Sequence, residues 1–231
     1  MWFDPLYFII LAPGILLALW AQFRVQSAYA RASQIPARSG YTGAQTAAAM
    51  LNSVGVQGVA IEPVEGFMSD HYAPGQHVLR LSAQNFAGRS LAAVGVAAHE
   101  AGHALQEATR YPLLGIRSGL VPLASFGSSM SWIMIFAGFV LHWSGLIIIG
   151  ILAFAAVVLF QIVNLPVEFD ASRRARIALV ESGIISADEE PVVASVLNAA
   201  ALTYVAATLT SVLTLLYFLL RSGLLGGGRR G

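Results

Sequence analysis

Between Arg117 and Glu168 the chain carries no Asp, Glu, Lys or Arg. His142, Trp143, Ser144 and Gly145 break this stretch near its middle. Each half is long enough to cross a hydrocarbon core, which takes about 17–25 apolar residues as a helix. In lipid every backbone N–H and C=O must be satisfied within the segment, so the stretch predicts two membrane helices with a very short turn. Trp143 suits the interfacial position that the turn would give it. Two further apolar runs of spanning length lie at Leu6–Phe23, which tolerates Pro13 and Gly14, and at Ala201–Leu220. With 57% hydrophobic and 11% charged residues, against roughly 25% charged in ordinary globular chains, the whole chain lacks the polar surface of a soluble enzyme.

The expected order is span 1–23, polar segment 24–117, spans 118–142 and 143–164, polar segment 165–200, span 201–221 and a flexible glycine-rich tail 222–231. The first run lacks a basic start and a clear small-residue cleavage site, so it is expected to be an anchor rather than a signal peptide. A two-helix hairpin returns the chain to the side it left, so both polar segments must face one side. Arg24, Arg31, Arg38, Arg110, Arg117, Arg173, Arg174 and Arg176 all fall in them. By the positive-inside rule that side is cytoplasmic, although Arg221, Arg229 and Arg230 oppose it.

Several chemistries are excluded. The chain has no cysteine, which removes disulfides, thiolate metal sites and cysteine nucleophiles. All thirteen basic residues are arginine, so Schiff-base and P-loop lysine chemistry are absent. A net charge of +1 gives no basic field for nucleic acid.

In the first polar segment, Thr42 and Gln45 have capping-box spacing before the helix formers Ala47 to Leu51, and Gly55 ends that helix. Val59 to Glu62 reads as a short strand stopped by Pro63. His77 to Ser82 alternates like a second strand. Ser90 is an expected N-cap for a helix from Leu91 to about Gln106. In the second polar segment a helix is expected from about Pro166. It pauses at Ser182-Gly183 and restarts after Ser186, with Asp188, Glu189 and Glu190 in the new first turn, where the helix dipole favours acids. In the second span, Ser125, Ser128, Ser129, Ser131 and Gly127 are expected to let helices pack closely rather than to catalyse.

The stretch His99-Glu100-Ala101-Gly102-His103 carries the chemistry. Spacing of four puts both imidazoles on one helical face, one turn apart. That suits two nitrogen ligands on one Zn²⁺. Glu100 lies beside the first ligand and can take the proton of a zinc-activated water as general base. A catalytic zinc needs a third protein ligand, and the metzincin histidine is missing, with Gln at 106 and Thr at 109. The parity of the spans points to the second polar segment, where Glu168 and Asp170 follow the third span. His71 is a further alternative.

The stretches Ser69-Asp70-His71-Tyr72, Val78-Leu79-Arg80-Leu81-Ser82, His99 to Gln106 and Leu165-Pro166-Val167-Glu168-Phe169-Asp170-Ala171-Ser172 resemble the YugP-type neutral zinc metallopeptidases of bacterial membranes, over nearly the whole chain. The chain is more distantly similar to HtpX-type and CAAX-prenyl-type gluzincin proteases. Their E-x-x-A-D motif is matched by Glu168 and Ala171, while Ser172 replaces its aspartate. The resemblance implies Glu168 as third zinc ligand, with Asp170 as an alternative support that orients a histidine. It implies one zinc per chain and a bacterial inner-membrane, multi-pass protein. Its fold class is then mainly α, with four transmembrane helices and a small α+β zincin-like element built from two cytoplasmic-side segments. It also gives the strand His77 to Ser82 the role of an edge strand that holds substrate backbone. Tyr72 or His71 could donate to the developing oxyanion.

The expected activity is zinc endopeptidase, acting on a polypeptide or membrane-protein substrate, with membrane lipid as the standing partner and no nucleic acid. A membrane-protein partner or a homo-oligomer is left open. The alternatives are a site-2-type intramembrane protease and a non-catalytic zinc-binding scaffold. The first lacks a Leu-Asp-Gly motif and has Arg89 and Glu107 bracketing its H-E-x-x-H helix. The second is disfavoured by the presence of Glu100.

Overall fold

A computed structural model describes residues 4–66 and 68–224. Among them the elements run α1 (Pro5–Ser33), α2 (Gly43–Ser53), β1 (Ala60–Val64), β2 (His71–Ala73), β3 (Val78–Ser82), α3 (Ala83–Ala87), α4 (Leu91–Ala108), α5 (Pro112–Val140), α6 (Ser144–Glu181) and α7 (Glu190–Arg221). Helices α1, α5, α6 and α7 are each long and apolar enough to cross a membrane. The expected tail lies mostly outside the described residues.

The chain divides into two compact units. One holds the residues up to Trp20, Ile116–Leu165 and those from Thr203. Its core is Leu11, Ile135, Ile151, Phe154, Val158, Tyr217 and Phe218. Large side chains such as Leu16, Ile133 and Leu152 stay exposed, as lipid-facing positions require and a water-soluble bundle would not tolerate in such number. At Gly127 the backbones meet closely: a Cβ there would sit 2.3 Å from the carbonyl of Ala153. The serines behave differently from expectation. Ser125, Ser128 and Ser129 are exposed, and the hydroxyls of Ser128 and Ser129 donate to the Ser125 carbonyl. Only Ser131 is buried. The residue that brings the helices together is the glycine.

The other unit holds Ala21–Gly115 and Pro166–Leu202. Its core joins both polar segments. Met50, Leu79, Leu81, Leu91, Val94 and Leu105 from the first pack with Leu179, Ile184, Val193 and Leu197 from the second. The capping box forms in full: Gln45 N donates to Thr42 Oγ1 at 3.2 Å and Thr42 N to Gln45 Oε1 at 2.9 Å. The sheet order is β1-β3-β2, with β1 parallel and β2 antiparallel to β3. This corrects two expectations. Pro63 does not stop β1 but lies inside it, which an edge strand permits because its free side needs no N–H. And β3, the strand His77 to Ser82 of the sequence reading, is central. Both of its sides are paired, so it has no free edge on which to hold a substrate backbone.

The long helices also overrun their expected ends. No helix starts at Pro166, because α6 passes through it. Beside this stretch Thr208 Oγ1 donates to the Gln161 carbonyl at 3.3 Å. At the far end α7 begins only at Glu190. Glu189, expected in its first turn, is buried before it and accepts from the backbone N–H of Arg38 and of Ser186, both at 2.9 Å. Asp188 pairs with the Arg38 guanidinium.

Candidate metal centre

Helix α4 starts as its sequence dictates, with Ser90 accepting from Ala93 N at 3.3 Å. Eight of its fourteen buried residues are alanine or glycine, among them Ala97, Ala98, Ala101 and Gly102. This lets α4 lie close against α6. At Gly102 a Cβ would meet the Ala171 carbonyl at 2.4 Å. Gly102 stands between His99 and His103, and Ala171 between Glu168 and Ser172. The closest approach of the two helices therefore falls on the rung where their polar side chains face each other.

On that rung Glu168 Oε2 lies 3.2 Å from His99 Nε2 and 3.6 Å from His103 Nε2. One ligand atom from each of the three side chains falls within 4.8 Å of the others, and no other group of three His or acidic residues does so among the described residues. Each imidazole turns its other nitrogen to a fixed partner. His99 Nδ1 is 3.0 Å from Ser172 Oγ. His103 Nδ1 is 3.0 Å from Gln106 Oε1, and Gln106 Nε2 donates to the Val167 carbonyl at 2.7 Å and to Asp170 Oδ2 at 3.0 Å. Asp170 is also held by Arg173 and by Arg174 Nε at 2.5 Å.

The charges respond to this packing. Burial opposes protonation of His103, but Glu168 and, less strongly, Glu100 outweigh it and hold its pKa above the ordinary histidine value. Burial likewise opposes ionisation of Glu168, which lies past the apolar stretch of α6. The two imidazoles win and hold its carboxyl far below the usual range. Asp170 is lowered as well, with Gln106 and the two guanidiniums overcoming its burial.

Glu100 stands apart from the trio. It is 8% exposed, and its Oε2 accepts from the backbone N–H of Tyr72 at 2.8 Å. That N–H belongs to β2, whose other side pairs with β3. The free edge of the sheet beside the proposed base is thus β2. The Tyr72 hydroxyl donates to Glu107 Oε2 at 2.5 Å, and burial followed by Glu107 pushes its pKa well above the tyrosine norm. His71 is exposed, with Nδ1 2.8 Å from the Ser69 carbonyl. Asp170 and His71, the alternative third ligands, are therefore both engaged away from the trio.

Two residues escaped the sequence reading. Gln106 entered as a helix end, as the end of a resembling stretch and as the place where a metzincin histidine is missing, but with no role of its own. The signal available was a lone amide on the buried face of α4, three residues past a ligand. Ser172 was noted as a departure from the aspartate of the more distant motif, and it lies one turn after Glu168 with its hydroxyl on His99.

The donor set fits zinc. Two neutral imidazoles and a carboxylate are a common catalytic trio, and both Nδ1 atoms are occupied, so the Nε2 atoms are the ones left to bind. Fold and site together define a helical protein with four spanning-length helices and a candidate metal site whose donors suit zinc. The chain belongs to the family described as "Putative neutral zinc metallopeptidase", whose model matches residues 7–223. It is 45% identical over 204 residues to "Putative membrane protease YugP" of Bacillus subtilis (strain 168), covering 88% of this chain and 91% of that protein. No solved structure matches it significantly.

Proposed function

We propose that this chain is a multi-pass zinc endopeptidase with a zincin-like site at the cytoplasmic face of a bacterial inner membrane, one zinc per chain, hydrolysing polypeptides or membrane proteins. The observation that carries it is the convergence of His99, His103 and Glu168 with Glu100 one residue from a ligand. His99, His103 and Glu168 hold the zinc. When bound, zinc acts as a Lewis acid toward a peptide carbonyl and acidifies water. Glu100 takes the proton from the attacking water and passes it to the leaving amine. The Tyr72 N–H occupies one carboxylate oxygen and leaves the other for that proton. Stabilising the oxyanion by Tyr72 or His71 requires each to leave its present partner, Glu107 or Ser69.

The H-E-x-x-H helix α4 is not among the helices long and apolar enough to span, which favours this reading over cleavage inside the bilayer. The retained Glu100 favours it over a zinc scaffold. The test is metal content and peptidase activity of detergent-purified protein. Wild type should hold about one zinc, lost in His103→Ala and Glu168→Ala. Glu100→Gln should keep its zinc and lose at least a hundredfold in rate, as removal of a general base does. A wild type that takes up no zinc ends the peptidase reading. An active Glu100→Gln removes Glu100 as the base.

A further inference from the structure

Gln106 is completely buried, and both ends of its amide are in use. The end facing α6 meets the Val167 carbonyl at 2.7 Å and Asp170 Oδ2 at 3.0 Å. A carbonyl and a carboxylate only accept, so that end must be the NH₂. The other end is then the carbonyl oxygen, also an acceptor, and it lies 3.0 Å from His103 Nδ1. Two acceptors cannot pair, so the proton of the neutral ring must sit on Nδ1. Nε2 is left bare on the side of Glu168. The amide has no second orientation that satisfies all three partners.

Ser172 does something weaker for His99. A hydroxyl both donates and accepts, so its 3.0 Å contact with Nδ1 fixes the ring plane without dictating which nitrogen carries the proton. The far end of the glutamine contact is also anchored. Arg173 and Arg174 grip Asp170, and Arg174 Nη1 reaches back to Thr109 Oγ1 at 3.1 Å at the end of α4. The carboxylate is matched by two guanidiniums, so what reaches the imidazole through the amide is orientation rather than charge.

We infer that Asp170 and Gln106 are positioning residues, a relay that locks His103 as the Nδ1–H tautomer with its Nε2 presented to the metal. The inference rests on the zinc reading above and extends H-E-x-x-H to H-E-x-x-H-x-x-Q in this chain.

The experiment uses full-length, detergent-solubilised protein labelled with ¹⁵N-histidine. The metal-free ring tautomers are read by ¹⁵N–¹H NMR, with the His103 signal assigned by its loss in His103→Ala. Zinc affinity is read by competition with a chromophoric chelator. In metal-free wild type, at a pH where the His103 ring is neutral, that ring should carry its proton on Nδ1. Gln106→Leu, of similar volume, should lose that single tautomer and bind zinc about 10–100-fold more weakly. A neutral wild-type His103 ring protonated on Nε2 alone overturns the relay without any variant. So does a Gln106→Leu protein with wild-type tautomer or affinity, which would mean that only packing matters. Wild type that binds no zinc overturns the zinc reading as well. Zinc-binding wild type with an indifferent Gln106→Leu overturns the relay alone.

Discussion

At the scale of single residues the site is a contest between burial and charge. Taken out of water, an isolated imidazolium or carboxylate would lose its charge. Here His103 and Glu168 keep theirs through each other, one raised and the other lowered. The sign of the pH dependence follows. The raised His103 favours the metal-free fold below the ordinary histidine value of 6.5, and this help is lost as pH rises through the elevated folded value. The lowered Glu168 favours it above the ordinary carboxyl value of 4.5, and that help is lost as pH falls through the depressed one. The pair therefore helps the metal-free protein most between those two ordinary values. Zinc needs His103 without its proton. Zinc affinity should fall by about tenfold per pH unit below the raised His103 value and level off above it, with proton release on binding. Calorimetry from pH 5 to 8 in buffers of different ionisation enthalpy checks both. An affinity flat across that range would show that the His103 proton is not the one displaced.

At the scale of elements, the decisive contact is α4 on α6. Substituting Gly102→Ala places a methyl 2.4 Å from the Ala171 carbonyl, so one helix must move. Overpacking of this kind costs about 1–3 kcal/mol. Because the same rung carries His99, His103 and Glu168, the displacement should also weaken zinc binding. Thermal unfolding of the metal-free protein and chelator competition should therefore both worsen. Normal zinc affinity with lowered stability would show that the trio tolerates wider helix spacing. Much at this scale was legible in the sequence, for physical reasons. Thr42 with Gln45, and Ser90 before an apolar run, are local signals whose hydrogen bonds close within a few residues, and both helices start where those residues say. The pairing of His99 and His103 was legible because their spacing puts both on one helical face, whereas donor chemistry left Glu168, Asp170 and His71 open as the third member and the family resemblance pointed to Glu168. Helix ends of α1, α5, α6 and α7 were not. Hydropathy marks where lipid-compatible residues stop, whereas a helix stops where its backbone loses partners, and nothing at Phe23 or Pro166 removes them all. The three-residue β2 was hidden because its pairing partner, β3, lies beyond the turn at Pro74-Gly75, and a run of three shows no period. The central place of β3 is a property of the whole sheet that no single strand displays.

At the scale of the whole molecule, the parity of the spans makes a claim that local packing now supports. The polar segments lie on either side of the α5–α6 hairpin in the chain, yet Leu79 and Leu105 from one share a core with Leu179 and Leu197 from the other. Residues that share a core lie on one side of a membrane, and an even number of crossings between them is what permits it. Which side is a matter of charge. Ten arginines fall in the polar segments between Arg24 and Arg176. Opposing them, Arg221 has its Nε 3.4 Å from Asp4, and Arg229 and Arg230 lie outside the described residues. The proposed orientation, with the shared core cytoplasmic and the α5–α6 turn external, is the one the positive-inside rule favours. A chain without cysteine allows a clean test by single substitutions at exposed serines. Ser144→Cys, at the turn, should react with a membrane-impermeant maleimide in intact spheroplasts. Ser53→Cys, at the end of α2, should react only after permeabilisation. The reverse pattern would place the metal centre outside the cell and exclude cytoplasmic polypeptides as substrates. Labelling of both in intact spheroplasts would mean that α5 does not cross, and would end the assignment of α5 and α6 as a membrane hairpin.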